Sequence, residues 1–302
     1  HQLAEAGCEH VHLTGGEPLL RKDWPRLARR LGQHGLGVTV ITNGVLLDDK
    51  MVERLVEAGV SGASVSLDGD QEVHDTIRAP CNSSAGSRYH AAVGAIERLV
   101  ASPLKAAVIT QVHKRNIHDL GRMYAQMVSL GVDAWQVQIA MPLGRLLDIR
   151  YQYLMEPSQI PGLLEQLAAF VTDGRVPVGV ADNIGYYSPQ EPIIRGALQG
   201  KRSFWTGCTA GIRLVAIRSN GDVKGCPSHP KSFVVGNVRE QPLATIWDSP
   251  ELFAYNTRWR EDLLEGRCAA CDFRQLCRAG CTTMAFAATG TIHDNPFCCQ
   301  RC

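Results

Sequence analysis

Residues 9–69 read EHVHLTGGEPLLRKDWPRLARRLGQHGLGVTVITNGVLLDDKMVERLVEAGVSGASVSLDG, and one rhythm runs through them. EHVHLTG, GVTVITNG and GASVSLDG are short apolar runs enriched in Val, Ile and Thr that end near Gly, the composition of strands. WPRLARRLGQHG and DKMVERLVEAG, between them, space apolar residues at helical intervals and close on Gly35 and Gly59 as C-terminal stops. Strands alternating with helices in this way build an α/β fold of parallel strands and crossover connections. The rhythm continues with a helix from about Tyr89 to Val100, a strand through LKAAVIT, a helix opening near Asn116 and a strand at AWQVQIA, five strands in all. Ahead of the first, QLAEAGC reads as the tail of a helix whose own preceding strand is absent, so the chain is expected to begin inside a repeat unit.

Past residue 145 the rhythm fades. Residues 146–203 hold several Pro and Gly and one short helix near Gly162 to Thr172, and are expected to bridge two unequal domains. After Phe204, IRLVAIRSNGDVKGC predicts a hairpin around Asn220-Gly221, and cysteine-rich loops follow. Domains over 1–145 and 204–302 fit a chain of 302 residues. The 31 basic and 30 acidic residues nearly cancel, which removes the electrostatic footprint of a nucleic-acid or anionic-lipid binder. No apolar run is long enough to cross a bilayer, and HQLAEAG lacks the pattern of a secretory signal. A cytoplasmic protein without nucleic-acid or membrane partners is therefore expected.

Nine of the 11 cysteines fall between Cys208 and Cys302. A disulfide framework suits short exported chains without a core, so metal ligation is the better reading here. Twelve residues separate Cys208 from Gly221 and four more lead to Cys226; Cys268, Cys271, Cys277 and Cys281 follow with gaps of two, five and three, then Cys298, Cys299 and Cys302. Short Cys-x-x-Cys spacing turns two thiolates toward one metal, and the number of thiols suffices for two sites. On spacing alone, structural zinc serves as well as iron-sulfur clusters, and a non-catalytic zinc-binding module is the alternative of another class.

The order C-x12-G-x4-C, C-x2-C-x5-C-x3-C and a late Cys resembles the SPASM domain of radical SAM enzymes. HLTGGEPLL at 12–20 and VSLDG at 65–69 resemble motifs of that superfamily's barrel. The resemblance implies a partial (β/α)6 radical SAM barrel lacking its first strand, followed by the SPASM domain. It implies that Gly15, Gly16, Glu17 and Pro18 meet the amino group of S-adenosylmethionine (SAM), and that Ser66 and Asp68 meet its ribose. Asn43 at the end of ITNG and Arg78 in HDTIR join the candidate cofactor residues, although turn-making would explain Asn43 and a surface arginine Arg78. Two auxiliary [4Fe-4S] clusters are implied: an outer one on Cys268, Cys271 and Cys277 with Cys298 or Cys299, and an inner one on Cys208, Cys226 and Cys281. Some relatives supply a fourth inner ligand just before the position of Cys208, where Lys201 to Gly207 contain no cysteine. An open iron there and a ligand of another kind are both left standing.

The family makes its radical on a third [4Fe-4S] cluster held by C-x3-C-x2-C, and residues 1–302 contain no such triplet. Cys8 stands alone and, like Cys81, reads as a small buried residue or loop thiol. The chain as written is thus expected to bind auxiliary clusters without making the radical. SPASM domains imply action on peptides: a deoxyadenosyl radical abstracts hydrogen from a peptide carbon, a crosslink forms, and flavodoxin or ferredoxin supplies electrons. Pro227 stands where anaerobic sulfatase maturases carry Asp, and CTAGIRLVAIRSNGDVKGCPSHP looks like maturases of ribosomal peptides. Sulfatase-maturase and tetrapyrrole-modifying enzymes remain the alternatives. The histidines show no metal-ligand spacing, and the tryptophans read as packing.

Overall fold

A computed structural model describes residues 1–78, 86–148, 150–196 and 204–301. Six parallel strands form one sheet in sequential order: β1 (His10–Leu13), β2 (Gly37–Thr42), β3 (Gly62–Ser66), β4 (Lys105–Val112), β5 (Ala134–Ile139) and β6 (Val178–Val180). Each crossover passes through a helix, as the alternation of apolar and amphipathic runs requires: Trp24–Gln33, Asp49–Glu57, Arg88–Val100, Leu120–Leu130 and Ile160–Asp173. Gly35 (φ +77°) and Gly59 (φ +76°) take the left-handed conformation expected of helix stops.

Five strands are expected from the sequence; the structure has six. The additional one, β6, lies in the stretch read as a bridge, pairs Trp135 with Val178, and is reached by Ile160–Asp173, whose Ile160, Leu163, Leu164 and Leu167 are buried. Three residues behind Pro177 are too short to register as a strand by composition.

The two faces of the sheet differ because side chains alternate along a strand. Val38 and Val40, Val65, Val108, Trp135 and Val137 point outward into the helical layer and form the core with Leu55, Leu99 and Leu167. The opposite, inner face mixes polar side chains with Ile41, Ala107 and Ile109 and is only partly covered. Behind the barrel, β7 (Ala216–Ile217), β8 (Asp222–Lys224) and β9 (Gly236–Asn237) make an antiparallel sheet whose first hairpin turns at Asn220-Gly221, with Gly221 at φ +96°. Short helices and loops bearing the cysteines complete this part. Among the described residues no helix is long and apolar enough to cross a membrane.

Candidate cofactor and cluster sites

Glu17, Asn43, Ser66 and Asp68 all fall at carboxyl ends of parallel strands, the end at which barrels assemble their sites. Gly15 and Gly16 form an exposed loop after β1, and Gly15 at φ +136° holds a conformation that side-chain-bearing residues rarely adopt. Pro18 opens the short 3-10 turn Pro18–Leu20. Glu17 ties this loop to the end of β2: one carboxylate oxygen accepts from Thr42 Oγ1 (2.8 Å) and Leu19 N (3.2 Å), the other from Asn43 N (2.9 Å). A carboxylate offers about four lone-pair positions, so one remains for a ligand. Asn43 makes a local turn, its Oδ1 accepting from Val45 N at 2.9 Å.

Asp68 is 1% exposed. Its Oδ2 accepts from Arg78 Nε (2.8 Å) and its Oδ1 from Gln111 N (2.9 Å), bracing the end of β3 against β4. Arg78 therefore meets a carboxylate of its own chain; the reading of it as a plain surface arginine gives way to a half-buried ion pair with Asp68 (2.7 Å). Asn116 Nδ2 donates to the carbonyls of Asp68 and Gln111, each at 2.8 Å, completing the brace. Ser66 is half-buried on the inner face.

The strand register places further groups on that face which the sequence reading passed over. His12 lies opposite Thr39, Ile41 opposite Ser64, Ser66 opposite Ile109, and Gln111 opposite Gln138. His10 Nε2 and His12 Nδ1 both meet Thr39 Oγ1, at 3.0 and 2.6 Å, so two histidines read as scattered are brought together. Their i, i+2 spacing on a strand was the available signal. Burial and the neighbouring His10 hold His12 below the usual histidine pKa. Cys8 is half-buried against the core rather than fully inside it. The reading of Cys81, and the place of Cys302, lie outside the described residues.

The remaining tail cysteines stand in two sets. Burial pushes the Cys281 thiol up to about 12, and the charges of Cys208 and Cys226 act in the same direction, so these three are neighbours. Burial likewise pushes Cys277 up to about 12, with Cys268 and Cys271 adding to it. Cys298 packs against Cys277, Tyr186 and Trp205 in a buried cluster, whereas Cys299 points its S–H at the Tyr186 carbonyl (2.8 Å). Tyr186 sits between the sets: Cys281 N–H donates to its Oη at 2.9 Å, and the adjacent Trp205 donates from Nε1 to the Cys277 carbonyl at 3.1 Å.

Thiols as deep as Cys277 and Cys281 do not ionise alone; a cationic metal core offsets the penalty of burying thiolates. Around them, buried groups lack a partner among the described residues: both ring nitrogens of His229, the Tyr255 hydroxyl, Arg278 Nε and Asn295 Nδ2. Such donors fit resident clusters whose sulfur atoms accept hydrogen bonds. Asn295 N already donates to Cys268 Sγ at 3.5 Å.

Residues 1–127 match the radical SAM superfamily model and residues 208–272 the SPASM iron-sulfur cluster-binding domain. The AdoMet-dependent heme synthase of Methanosarcina barkeri is 30% identical over 99% of this chain and 85% of its own. The PqqA peptide cyclase of Granulibacter bethesdensis is 29% identical over 98% of this chain and 76% of its own. The mycofactocin maturase of Mycobacterium ulcerans is 30% identical over 95% and 73%. Among solved structures, anSMEcpe with bound AdoMet has the same fold, with a TM-score of 0.75 at 18% identity, covering 99% of this chain and 82% of that one. Relatives that align from end to end of the chain settle its ancestry: it belongs to the radical SAM superfamily and carries a SPASM iron-sulfur domain.

Proposed function

We propose that this protein is a maturase that crosslinks a ribosomally made peptide. SAM and its reducing cluster, when bound, supply radical hydrogen abstraction from a substrate carbon. The residues of this chain hold and orient the reactants. The Gly15-Gly16 backbone and the remaining lone pair of Glu17 would take the methionine amino group of SAM, with Pro18 fixing the turn. Ser66 would meet the ribose, while Asp68, braced by Arg78, and Asn43 hold the strand ends that form the cradle.

The observation that carries the peptide reading is the row of amides on the inner face, where Gln111 lies opposite Gln138, Gln136 is the next same-face residue of β5, and Ser66 faces them across Ile109. Primary amides donate and accept as peptide groups do, so this face suits an extended backbone better than a flat apolar macrocycle. The relatives named as a PqqA peptide cyclase and a mycofactocin maturase support the same substrate class. Two auxiliary [4Fe-4S] clusters would accept electrons from the substrate: the outer on Cys268, Cys271, Cys277 and Cys298, the inner on Cys208, Cys226 and Cys281. Cys298 is assigned over Cys299 because it packs on Cys277 while Cys299 engages Tyr186. Flavodoxin or ferredoxin would be the donor, and the cytoplasm the setting. Residues 1–302, which contain no C-x3-C-x2-C run, are proposed not to cleave SAM on their own.

A tetrapyrrole substrate is the second reading, favoured by the 85% coverage of the heme synthase relative. The test is to express the full gene anaerobically, reconstitute it, and offer a candidate precursor peptide or an iron porphyrin with SAM and a reductant. Loss of two hydrogens per crosslink in the peptide supports the first reading. Turnover of the porphyrin with the peptide unchanged overturns it.

A further inference from the structure

The inner cysteine set supplies three ligands, and each iron of a four-iron cluster needs a terminal ligand of its own. What the fold places beside those three thiols therefore matters. The loops bearing Cys208 and Cys226 are pressed together: a Cβ on Gly225 would lie 2.1 Å from Tyr255 Oη and 2.8 Å from Gly211 N. Asn256 Nδ2 fixes the first loop by donating to the carbonyls of Cys208 and Ala210, each at 2.8 Å. Immediately after Cys226 the chain makes a tight turn closed by His229 N–H donating to the Cys226 carbonyl at 3.1 Å. Such a turn brings its first and fourth Cα atoms within about 7 Å, and Cys-x2-His is a spacing at which two side chains reach one metal site. Lys224 holds the turn, its Nζ donating to the carbonyls of Pro227 (3.0 Å) and His229.

The imidazole at the end of that turn is 2% exposed. It is enclosed by Phe233, with ring centroids 4.6 Å apart, and by Tyr255 at 5.4 Å. Neither ring nitrogen has a hydrogen-bond partner among the described residues. A neutral imidazole carries one N–H and one lone pair, and native interiors satisfy at least one of them. A ring nitrogen left without a partner in this enclosure offers its lone pair to a metal.

On the reading that the inner set holds an iron-sulfur cluster, we propose that His229 is its fourth protein ligand. The inner site is then closed by the protein, and substrate does not bind its iron. Histidine in place of thiolate raises a cluster's reduction potential, so this cluster is the better electron acceptor of the two. The Tyr255 hydroxyl, over Gly225, is left to donate to the cluster's sulfur.

The test is pulsed electron paramagnetic resonance of the reconstituted, reduced protein grown with 15N-labelled histidine, with iron determined on the same sample. Iron near eight per chain with a histidine 15N coupling on one cluster, lost in His229→Cys while iron is retained, is the expected result. That variant should also lower the midpoint potential of one cluster only. Eight irons without histidine coupling, or a coupling that survives in His229→Cys, overturns the assignment and leaves the cluster reading standing. A protein that takes up no iron into the inner set, with Cys208→Ala indistinguishable from wild type in iron content, removes the reading beneath it as well. Should His229→Cys fail to fold, the labelled wild-type spectrum alone decides.

Discussion

Glu17 accepts hydrogen bonds from a backbone N–H in its own turn and from a hydroxyl and an N–H at the end of β2. Glu17→Ala leaves those donors unmatched, and an unmatched buried donor costs about 1–3 kcal/mol. A loss of about that size in chemical denaturation is expected, together with weaker SAM binding in equilibrium dialysis; wild-type affinity in a destabilised variant would detach Glu17 from the cofactor. His113 is a second residue with a measurable signature. Burial lowers its pKa from 6.5 to about 4, so the unfolded chain takes up a proton before the folded one does. Stability should fall as pH drops from about 6.5 toward 4 and level off below, and His113→Gln should flatten that slope in melting curves of the apoprotein. The turns that carry the candidate residues were legible where glycines follow strands, because turn chemistry is local. That Glu17 and Asp68 are held by their own chain was not, because Thr42, Asn43 and Gln111 come from the ends of other strands.

The order of strands and crossovers was readable because every helix between β1 and β5 has an apolar stripe and most end at a glycine or a polar cap. β6 escaped because it is three residues long between Pro177 and Ala181, and only its pairing with β5 defines it. The pairing of His10 with His12 escaped for a related reason: their common face is visible only once the segment is known to be a strand. At this scale the helix Arg88–Val100 carries the sheet's outer layer, with Ala92, Ala95, Ile96 and Leu99 buried. Leu99, fully buried, faces that core. Leu99→Ala should destabilise by about 2–5 kcal/mol, read as a shifted denaturation midpoint with unchanged slope; a loss under about 0.5 kcal/mol, the surface-substitution range, would contradict the packing described.

The thiol spacing made the tail's metal chemistry readable from the chain, but which cysteines are neighbours required the fold. Replacing Cys277 by Ala should remove about four irons per chain and Cys281→Ala about four from the other set; equal losses from both clusters in either variant would mean that the sets are not independent. Tyr186 has a further consequence for the molecule. It leaves the barrel two residues past Ile184 of the main core, yet it is bonded to the backbone of Cys281 and to the thiol of Cys299. Glu191, fully buried, adds its ion pair with Arg195 (2.8 Å) and accepts the backbone N–H of Trp205 at 2.9 Å. Heating cannot loosen the tail without stripping these partners from the barrel. Calorimetry of the metal-free protein should therefore record one endotherm, because barrel and tail are tied to each other as a single rigid unit with no hinge between them among the described residues.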